Sequence, residues 1–436
     1  MHRFIPYVLL VIFSGICSSA TLNAQCKVIS YNIRYDNPSD SLNNWSQRKK
    51  SISDFLMQQQ ADFIGLQEVL VTQLIDLDSM LNQQPVPAYS WVGVGRDDGK
   101  QVGEFCPIFY NNKNYKLLAW ETRWLSETPN RPSKSWDAAL PRIATIAKFL
   151  EFKTRREFVI INTHLDHQGE QARFKSSKLL FSWIDTLLQQ STPVLLLGDF
   201  NADRKSNPVR WLLTSQQLSM ANAKINPNER GTFNGFSNQP GKEIDFIFYS
   251  NHFQLNSASI DYTQRGEGLF LSDHYPVIAT FENSIPKFNL SICYPGAWTV
   301  QKLRAQAEFP LSEKQSLGIS LTRLNVLWQT QTLGLEYRKY PTVSRNAKSG
   351  YYAQGNFGFG KADYYSQGIF TAFAFGVVKQ QFYGKSKRFL FEYQLGGRAG
   401  VMVTGDLESG GGFGGLLYIA GPLSVLDFRM NMGYRF

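Results

Sequence analysis

The chain has 436 residues, more than one ordinary domain holds and enough for two. With 43% hydrophobic and 18% charged residues, its composition excludes a disordered polypeptide. The formal charge of +10 is unevenly held: residues 25–284 carry 27 Lys and Arg against 27 Asp and Glu, and residues 285–436 carry 17 against 8. The first part therefore has no global basic excess to drive non-specific binding to long nucleic acids.

In chain order, Arg3 precedes a short apolar run, Tyr7 to Phe13, and small and polar residues lead to Ala24. This pattern predicts a secretory signal over residues 1–24, with an apolar core too short to span a bilayer. Cys17 would leave with it. Neither Cys17, after Ile16, nor Cys26, after Gln25, follows the small residue that a lipid-attachment site needs. Cys26, Cys106 and Cys293 are odd in number and irregularly spaced, which predicts neither a disulfide framework nor a zinc site; they read as small buried hydrophobes.

Residues 25–284 read as mixed α/β. Strands are predicted at Lys27–Ile33, Asp62–Gln67, Ile143–Leu150, Phe158–Asn162, Pro193–Gly198, Ile244–Tyr249 and Tyr275–Phe281. Helices are predicted over 46–60, from Ile52, Phe55 and Leu56, and over 170–189, from Leu179, Leu180, Trp183, Ile184 and Leu187.

Residues 285–436 have another texture. They hold 21 of the 34 glycines and alternate strictly. Leu317, Ile319 and Leu321 form one row; Leu333, Leu335 and Tyr337 another; Phe373, Phe375 and Val377 a third; Phe389, Phe391, Tyr393 and Leu395 a fourth. Leu426, Phe428, Met430, Met432, Tyr434 and Phe436 alternate with polar residues or glycine to the end. Period two over about ten residues predicts an antiparallel β-barrel of about eight strands. The aromatic ending resembles the last strand of small bacterial outer-membrane barrels. A soluble β-sandwich or barrel is the other architecture this texture allows.

Polar residues recur where the strands of the first part end. Asn32 follows a strand, and so do Glu68, the run Asn162-Thr163-His164-Leu165-Asp166-His167, and the run Gly198-Asp199-Phe200-Asn201-Ala202-Asp203. Asp245 lies in Glu243-Ile244-Asp245-Phe246-Ile247, and Ser272-Asp273-His274 precedes the last strand. Chemistry concentrates at strand ends and loops. The ordered series SYNIR, GLQEV, IFY, NTHLDH, GDFNAD, IDFIF and SDHYP resembles the endonuclease/exonuclease/phosphatase (DNase I-like) superfamily over about residues 27–283. The resemblance implies a four-layer α/β sandwich, two mixed sheets between helices, with the site at one sheet rim.

It also implies roles. Glu68 would be the leading ligand of Mg²⁺ (or Mn²⁺), supported by Asn32 and Asp273, because hard cations take oxygen ligands. Asp199 would position or deprotonate the attacking water, and Asn201, two residues on, would donate to the phosphoryl oxygen. His274 would contact phosphate or move a proton, oriented by Asp245, and His164 would be a second phosphate contact. Tyr110, ending Cys106-Pro107-Ile108-Phe109-Tyr110, matches a position that faces the site in relatives. Arg142, near Trp136-Asp137, is a candidate phosphate clamp. His167 is a weaker member of the same motif, and Asn43-Asn44-Trp45 with Arg48 a candidate pocket wall. His252 has no motif and reads as surface.

The resulting expectation is a metal-dependent phosphoester hydrolase, carried across the inner membrane and anchored at the outer membrane with residues 25–284 in the periplasm. Its substrate class stays open among nucleic acid, lipid headgroup and small organic phosphate. The alternative is a non-catalytic surface or binding module on a membrane barrel, which would tolerate decay of the metal and water-activating positions.

Overall fold

A computed structural model describes residues 25–435 apart from 84–88, 191, 215–216, 230, 238–240, 267–268, 283–288, 294–301, 313, 326–328, 344–346, 362–366, 384–388 and 406–425. The expected signal and Phe436 lie outside the described residues, as does the side chain of Cys293. The strands of the first part are β1 (Gln25–Asn32), β2 (Phe63–Gln67), β3 (Tyr89–Val92), β4 (Ile108–Asn111), β5 (Tyr115–Trp124), β6 (Ile143–Glu151), β7 (Glu157–His164), β8 (Val194–Asp199), β9 (Leu218–Met220), β10 (Asp245–Ser250), β11 (Gln254–Ile260) and β12 (Val277–Glu282). The helices are α1 (Trp45–Gln59), α2 (Val71–Leu81), α3 (Glu170–Gln189) and α4 (Asn207–Leu213). The strands form two mixed sheets, ordered β11-β12-β1-β2-β4-β3 and β5-β6-β7-β8-β10-β9.

Both faces of the central strands are buried, and alternation sorts the residues. In β1, Val28 joins a core shared by both sheets, while Ile29 and Tyr31 join a second cluster with Ile52, Phe55 and Leu56 of α1 and Leu74, Leu77 and Leu81 of α2. In β8, Leu195 and Leu197 join the shared core, while Val194 and Leu196 pack with Leu180 and Ile184 of α3 and Val209 and Leu212 of α4. Truncating any such leucine to alanine costs about 2–5 kcal/mol. The sheets approach closely at Gly65, where an added Cβ would lie 2.9 Å from both Asn162 Cγ and Leu197 Cδ1. There Gln67 Nε2 donates to Asn162 Oδ1 (2.7 Å), and Asn162 Nδ2 donates to the carbonyls of Leu66 and Pro107 (2.8 Å each).

Further strands follow: β13 (Asn289–Cys293), β14 (Lys302–Ser312), β15 (Gln315–Asn325), β16 (Gln329–Val343), β17 (Ala347–Lys361), β18 (Gln367–Tyr383), β19 (Phe389–Gly405) and β20 (Leu426–Arg435). Each pairs antiparallel with the next, and β20 returns to β13 to close the ring. The predicted apolar rows point outward: Leu317, Ile319, Leu333, Leu335, Phe373 and Phe375 are exposed. The polar rows point inward and bond to one another. Arg338 Nη1 reaches Glu392 Oε2 (2.6 Å) and Glu308 Oε2 (3.2 Å), and its Nε pairs with Glu336. Tyr340, Gln380, Asn289 and Ser316 all donate to Glu308. Gly334 leaves room for this network, because a Cβ there would lie 2.2 Å from Gln354 Nε2.

The expected elements are present with shifted ends, and others were not anticipated, among them α2, α4, β3, β5, β9, β11 and β17. Helix α2 is short. Strand β5 is an edge strand with mostly exposed side chains. Helix α4 has seven residues. In β17, Gly350, Gly355, Gly358 and Gly360 interrupt the alternation on which strand reading depends.

Candidate active site

The inter-sheet rows turn polar at one end of the strands. Val28 and Ser30 lead to Asn32, Ile160 and Asn162 to His164, and Leu195 and Leu197 to Asp199. In the antiparallel β10, Ile247 leads back to Asp245. Register then sets three of these abreast: His164 faces Asp199 across β7 and β8, and Asp245 faces Asp199 across β10 and β8. From the other sheet, Asn32 Nδ2 donates at 3.0 Å to both Glu68 Oε1 and Asp199 Oδ2, tying the rims together. Several non-glycine residues here adopt left-handed backbone, among them Arg34 (φ 58°), Glu68 (φ 60°), Trp136 (φ 59°) and Asn201 (φ 46°). Such conformations cost about 1–3 kcal/mol each and persist where the surroundings over-determine them, most often at functional sites.

His274 Nδ1 lies 2.8 Å from Asp245 Oδ2, its Nε2 lies 3.7 Å from Asp199 Oδ2, and the edge of its ring meets Phe233. Burial alone would lower its pKa, but the carboxylates of Asp245 and Asp199 outweigh burial and hold it well above the ordinary histidine value. Asp199 is pushed up to about 7 by burial and the neighbouring Asp245 charge, with His274 and the hydrogen bonds from Asn201 and Asn32 opposing. An imidazolium held by one carboxylate and facing another, proton-accepting carboxylate is an acid–base pair.

His164 has the opposite environment. Burial first, then the charges of Arg142 and Arg96, push its pKa well below the ordinary value, so it stays neutral. Asn201 Nδ2 lies 2.9 Å from His164 Nε2 and donates to it, which leaves the proton on Nδ1, 3.8 Å from Glu104 Oε2. That Nδ1 and Arg142 Nη1 are buried donors with no hydrogen-bond partner among the described residues. Unmade buried bonds are costly, so the site presents donors to an incoming oxygen. The rest of Arg142 is fixed: Nη2 lies 2.9 Å from His167 Nδ1 and Nε 3.4 Å from Asp166 Oδ2. Asp166, held down to about 2 against burial by the N–H groups of Gly169, Ala139 and Gln168 and by Arg142, anchors the loop into α3. Asp137 accepts from the N–H groups of Gln171 and Ala172 and caps that helix from a distant loop.

The structure thus brings together Asn32, Glu68, His164, Asp199, Asn201, Asp245, Asp273 and His274, with Arg142 beside them. The Asp273 carboxylate accepts from Ser272 Oγ (3.2 Å) and lies 3.8 Å from Arg34 Nη1. Three expectations are corrected. Tyr110 is a core residue: it faces Phe63 at the start of β2, whose other end leads to Glu68, and its ring centroid is 5.0 Å from that of Phe149. The wall around Asn43, Asn44, Trp45 and Arg48 is structural. Asn44 caps α1, Trp45 Nε1 donates to Asp76, and the buried Arg48 donates to the carbonyls of Ile33, Arg34, Asn43 and Leu271. His252 is half-buried beside Ser250 rather than on the open surface.

Three residues escaped the sequence reading. Glu104 receives Arg96 Nη1 at 2.6 Å and faces Arg142 Nη1 at 3.9 Å. Arg34 stands within 4.0 Å of both Glu68 and Asp273. The signals were present in Gly95-Arg96-Asp97-Asp98-Gly99 and Gly103-Glu104, charged residues between glycines just before the strand ending at Asn111.

The carboxylates fit a divalent cation. Glu104 and Asp273 are both raised, by burial first and by the charge of Glu68 among other causes, with Arg96 and Arg142 opposing at Glu104 and His274, Arg34 and Arg48 at Asp273; their carboxylate oxygens are the hard donors that a divalent cation takes. Ligand atoms of Asp199, Asp245 and His274 also lie within 4.8 Å of one another, and that group too has a donor set able to hold a metal ion. His274 Nδ1, however, is already engaged by Asp245, which favours the less buried Glu68 side for the cation.

The model of the endonuclease/exonuclease/phosphatase family matches residues 29–274, and the chain belongs to that family. The Bacteroides vulgatus endonuclease/exonuclease/phosphatase structure is 37% identical, with a TM-score of 0.54, covering 59% of this chain and 99% of its own. The mannosyl-6-phosphatase of Bacteroides thetaiotaomicron is 34% identical with a TM-score of 0.54, covering 58% of this chain and 98% of its own. An uncharacterised protein of Acanthamoeba polyphaga mimivirus is 26% identical over 260 residues, 56% of this chain and 94% of its own.

Proposed function

We propose that residues 25–284 are the catalytic domain of a secreted, Mg²⁺-dependent phosphoester hydrolase. Residues 1–24 are its signal and residues 285–436 the outer-membrane barrel that holds it in the periplasm. The observation that carries the catalytic reading is the position of Asp199. It accepts from Asn32 and lies 3.5 Å from His164 and 3.7 Å from His274, in one row of buried, register-paired side chains.

In this reading Asp199 accepts a proton from the attacking water. The Nδ1 proton of His164 donates to a phosphoryl oxygen as negative charge gathers there, and Asn201, whose amide donates to His164 Nε2 and the Leu165 carbonyl, holds the ring in place. His274, kept protonated by Asp245, adds positive charge beside the same oxygens, and Arg142 supplies an unpaired donor at the far wall. Glu68, Asn32 and Asp273 would hold the cation, which supplies polarisation of the phosphoryl oxygen and stabilisation of the leaving oxygen. A small organic phosphate is the first substrate to test, since the charge-balanced domain lacks a basic track and one relative is named a mannosyl-6-phosphatase.

Outer-membrane insertion is supported by the barrel's inverted order: Phe375 is 69% exposed while Arg338 is fully buried. A barrel surrounded by water buries its apolar row; one surrounded by lipid exposes it. The test uses the full-length chain in detergent with Mg²⁺, Mn²⁺ or chelator, on an aryl phosphodiester and its matching monoester. Chelation should lower turnover at least about 100-fold, with recovery on adding either metal. Turnover that persists in chelator and in His274→Ala would sink the reading.

A further inference from the structure

We infer that Glu104, with Arg142, forms a subsite that reads a hydroxyl group on the alcohol part of the substrate. The site then selects phosphate esters of polyhydroxyl alcohols over those of plain alkyl alcohols, a refinement that rests on its reading as a phosphoester hydrolase.

The sequence builds this subsite on a glycine-punctuated loop. Within residues 95–104 the N–H of Arg96 donates to the Glu104 carbonyl (3.1 Å) and that of Asp97 to the Val102 carbonyl (3.0 Å), so the two arms pair and set Arg96 beside Glu104. A Cβ on Gly95 would lie 2.3 Å from the Val102 carbonyl oxygen, and Gly103 has a φ of 86°, so both positions call for glycine. Trp124 Nε1 donates to the Arg96 carbonyl at 2.6 Å and ties the loop to β5. A group held in place before binding loses little freedom on binding.

Four side chains meet there. Arg96 Nη1 donates to Glu104 Oε2 at 2.6 Å, a closed pair. Two other donors stop short of the same oxygen: Arg142 Nη1 at 3.9 Å and His164 Nδ1 at 3.8 Å. Both are buried and have no hydrogen-bond partner among the described residues. Both side chains are fixed elsewhere. Arg142 is held through Nη2 by His167 and through Nε by Asp166, and His164 Nε2 receives Asn201 Nδ2. A cluster with a structural task alone would close on itself, because each unmet buried donor is costly. Glu104 is its most exposed member: 15% of its side chain is accessible, against 5% for Arg142 and for His164 and 8% for Arg96. Its carboxylate is therefore the part an incoming group meets first.

The separation selects that group. An oxygen about 2.8 Å from both Arg142 Nη1 and Glu104 Oε2 fits between atoms 3.9 Å apart. It must accept from the guanidinium and donate to the carboxylate. A phosphoryl oxygen only accepts and would face the charge of Glu104. An ammonium only donates and would face two guanidiniums. An amide accepts and donates through different atoms and needs a wider separation. A hydroxyl does both through one atom. His164 Nδ1, the donor assigned to the phosphoryl group, is 3.8 Å from the same carboxylate oxygen, which places the hydroxyl on a carbon close to the ester. A substrate without that hydroxyl covers Glu104 and Arg142 and leaves them unpaired, and sites of this kind reject such analogues far more strongly than a difference in size would.

The experiment uses the full-length chain in detergent with Mg²⁺ and measures the binding of two phosphonates by calorimetry. They are 3,4-dihydroxybutylphosphonate and butylphosphonate, in which carbon replaces the ester oxygen, so neither is hydrolysed. The dihydroxy chain rotates freely, and either hydroxyl can reach Glu104. It should bind at least about 10-fold more tightly than the plain chain. Glu104→Ala should bring the two affinities within about twofold of each other, and Glu104→Gln, which keeps an acceptor, should restore part of the difference. Each ratio is taken within one protein, so a general loss of affinity cancels.

Equal affinities in the native chain would overturn the hydroxyl subsite whatever the variants do. So would a ratio that survives Glu104→Ala, or failure of both phosphonates to bind. Equal affinities alongside metal-dependent turnover of the aryl esters would leave the hydrolase reading standing. The expected ratios without turnover of any ester would fail the hydrolase reading and leave the subsite standing.

Discussion

The paired sheets and the barrel use the same alternation of side chains and reverse its outcome. In the sandwich both faces of the central strands are buried: Val28 and Leu197 meet the other sheet, and Ile29 and Leu196 meet helices. In the barrel only one face is enclosed, and it is the polar one, with Arg338, Glu308, Glu336, Glu392 and Gln380 inside and Phe373, Phe375 and Leu335 outside. Period two dictates that alternate residues part company; the surroundings dictate which set faces inward. In the sandwich, the row of Asp199, His164 and Asp245 gathers buried donors and acceptors at one rim. In the barrel, described interior polar groups bond to one another around Arg338 and Glu308.

That contrast can be broken by substitution. The largest effect is expected from His274→Ala or Asp199→Asn, which should lower kcat/KM about 10³-fold or more while leaving the barrel's heat-dependent gel mobility unchanged. Arg338→Met should do the reverse. It leaves Glu336 and Glu392 buried without their cation and should destabilise the barrel by about 3–5 kcal/mol in denaturant titration in micelles, with kcat/KM kept. Retained barrel stability would show that the interior network is redundant.

Phe375→Arg is sharper, because the two surroundings predict different results. An exposed residue in water tolerates the change within about 0.5 kcal/mol, whereas a lipid-facing one should cost about 2–4 kcal/mol near the bilayer midplane. The smallest effect is a pH shift. On the proposed mechanism His274 acts protonated, so activity that requires it is lost as pH rises through its raised pKa. Removing a main source of that elevation, with Asp245→Asn, should move the basic limb of the pH–rate profile to lower pH. An unmoved limb would assign the limb to another group.

The same sign governs stability. A histidine raised in the fold contributes stability that is fully present below its unfolded value and lost as pH rises through the folded one, which describes His274. The depressed His164 acts oppositely: the unfolded chain takes up a proton there before the folded one does, so stability falls as pH drops below the ordinary histidine range.

Much of this was legible in the residues. Helix α3 stood out because twenty residues with a regular apolar stripe have few other ways to bury it. Asp199, Asn201, Asp245 and His274 were legible because polar residues at the ends of apolar strands must find partners or water. Tyr110 misled for a local reason: Ile108-Phe109-Tyr110 shows which residues share a face, but not which end of the neighbouring strand lies opposite. Glu104 and Arg96 were missed because short glycine-punctuated loops carry no period to mark their direction.

By itself the sequence determined the two textures, the α/β order of the first part, the alternating rows of the second and the residue types at the catalytic rim. These follow from local rules, periodicity and the cost of burying polar groups. Only the tertiary structure decided that Asp245 and His164 flank Asp199, that Tyr110 belongs to the core, that Arg142 is held by Asp166 and His167, and that the chain leaves the sheets at the end opposite the site. Those facts depend on strand pairing and register between segments as far apart as Asn32 and Asp199, and no short-range pattern records them.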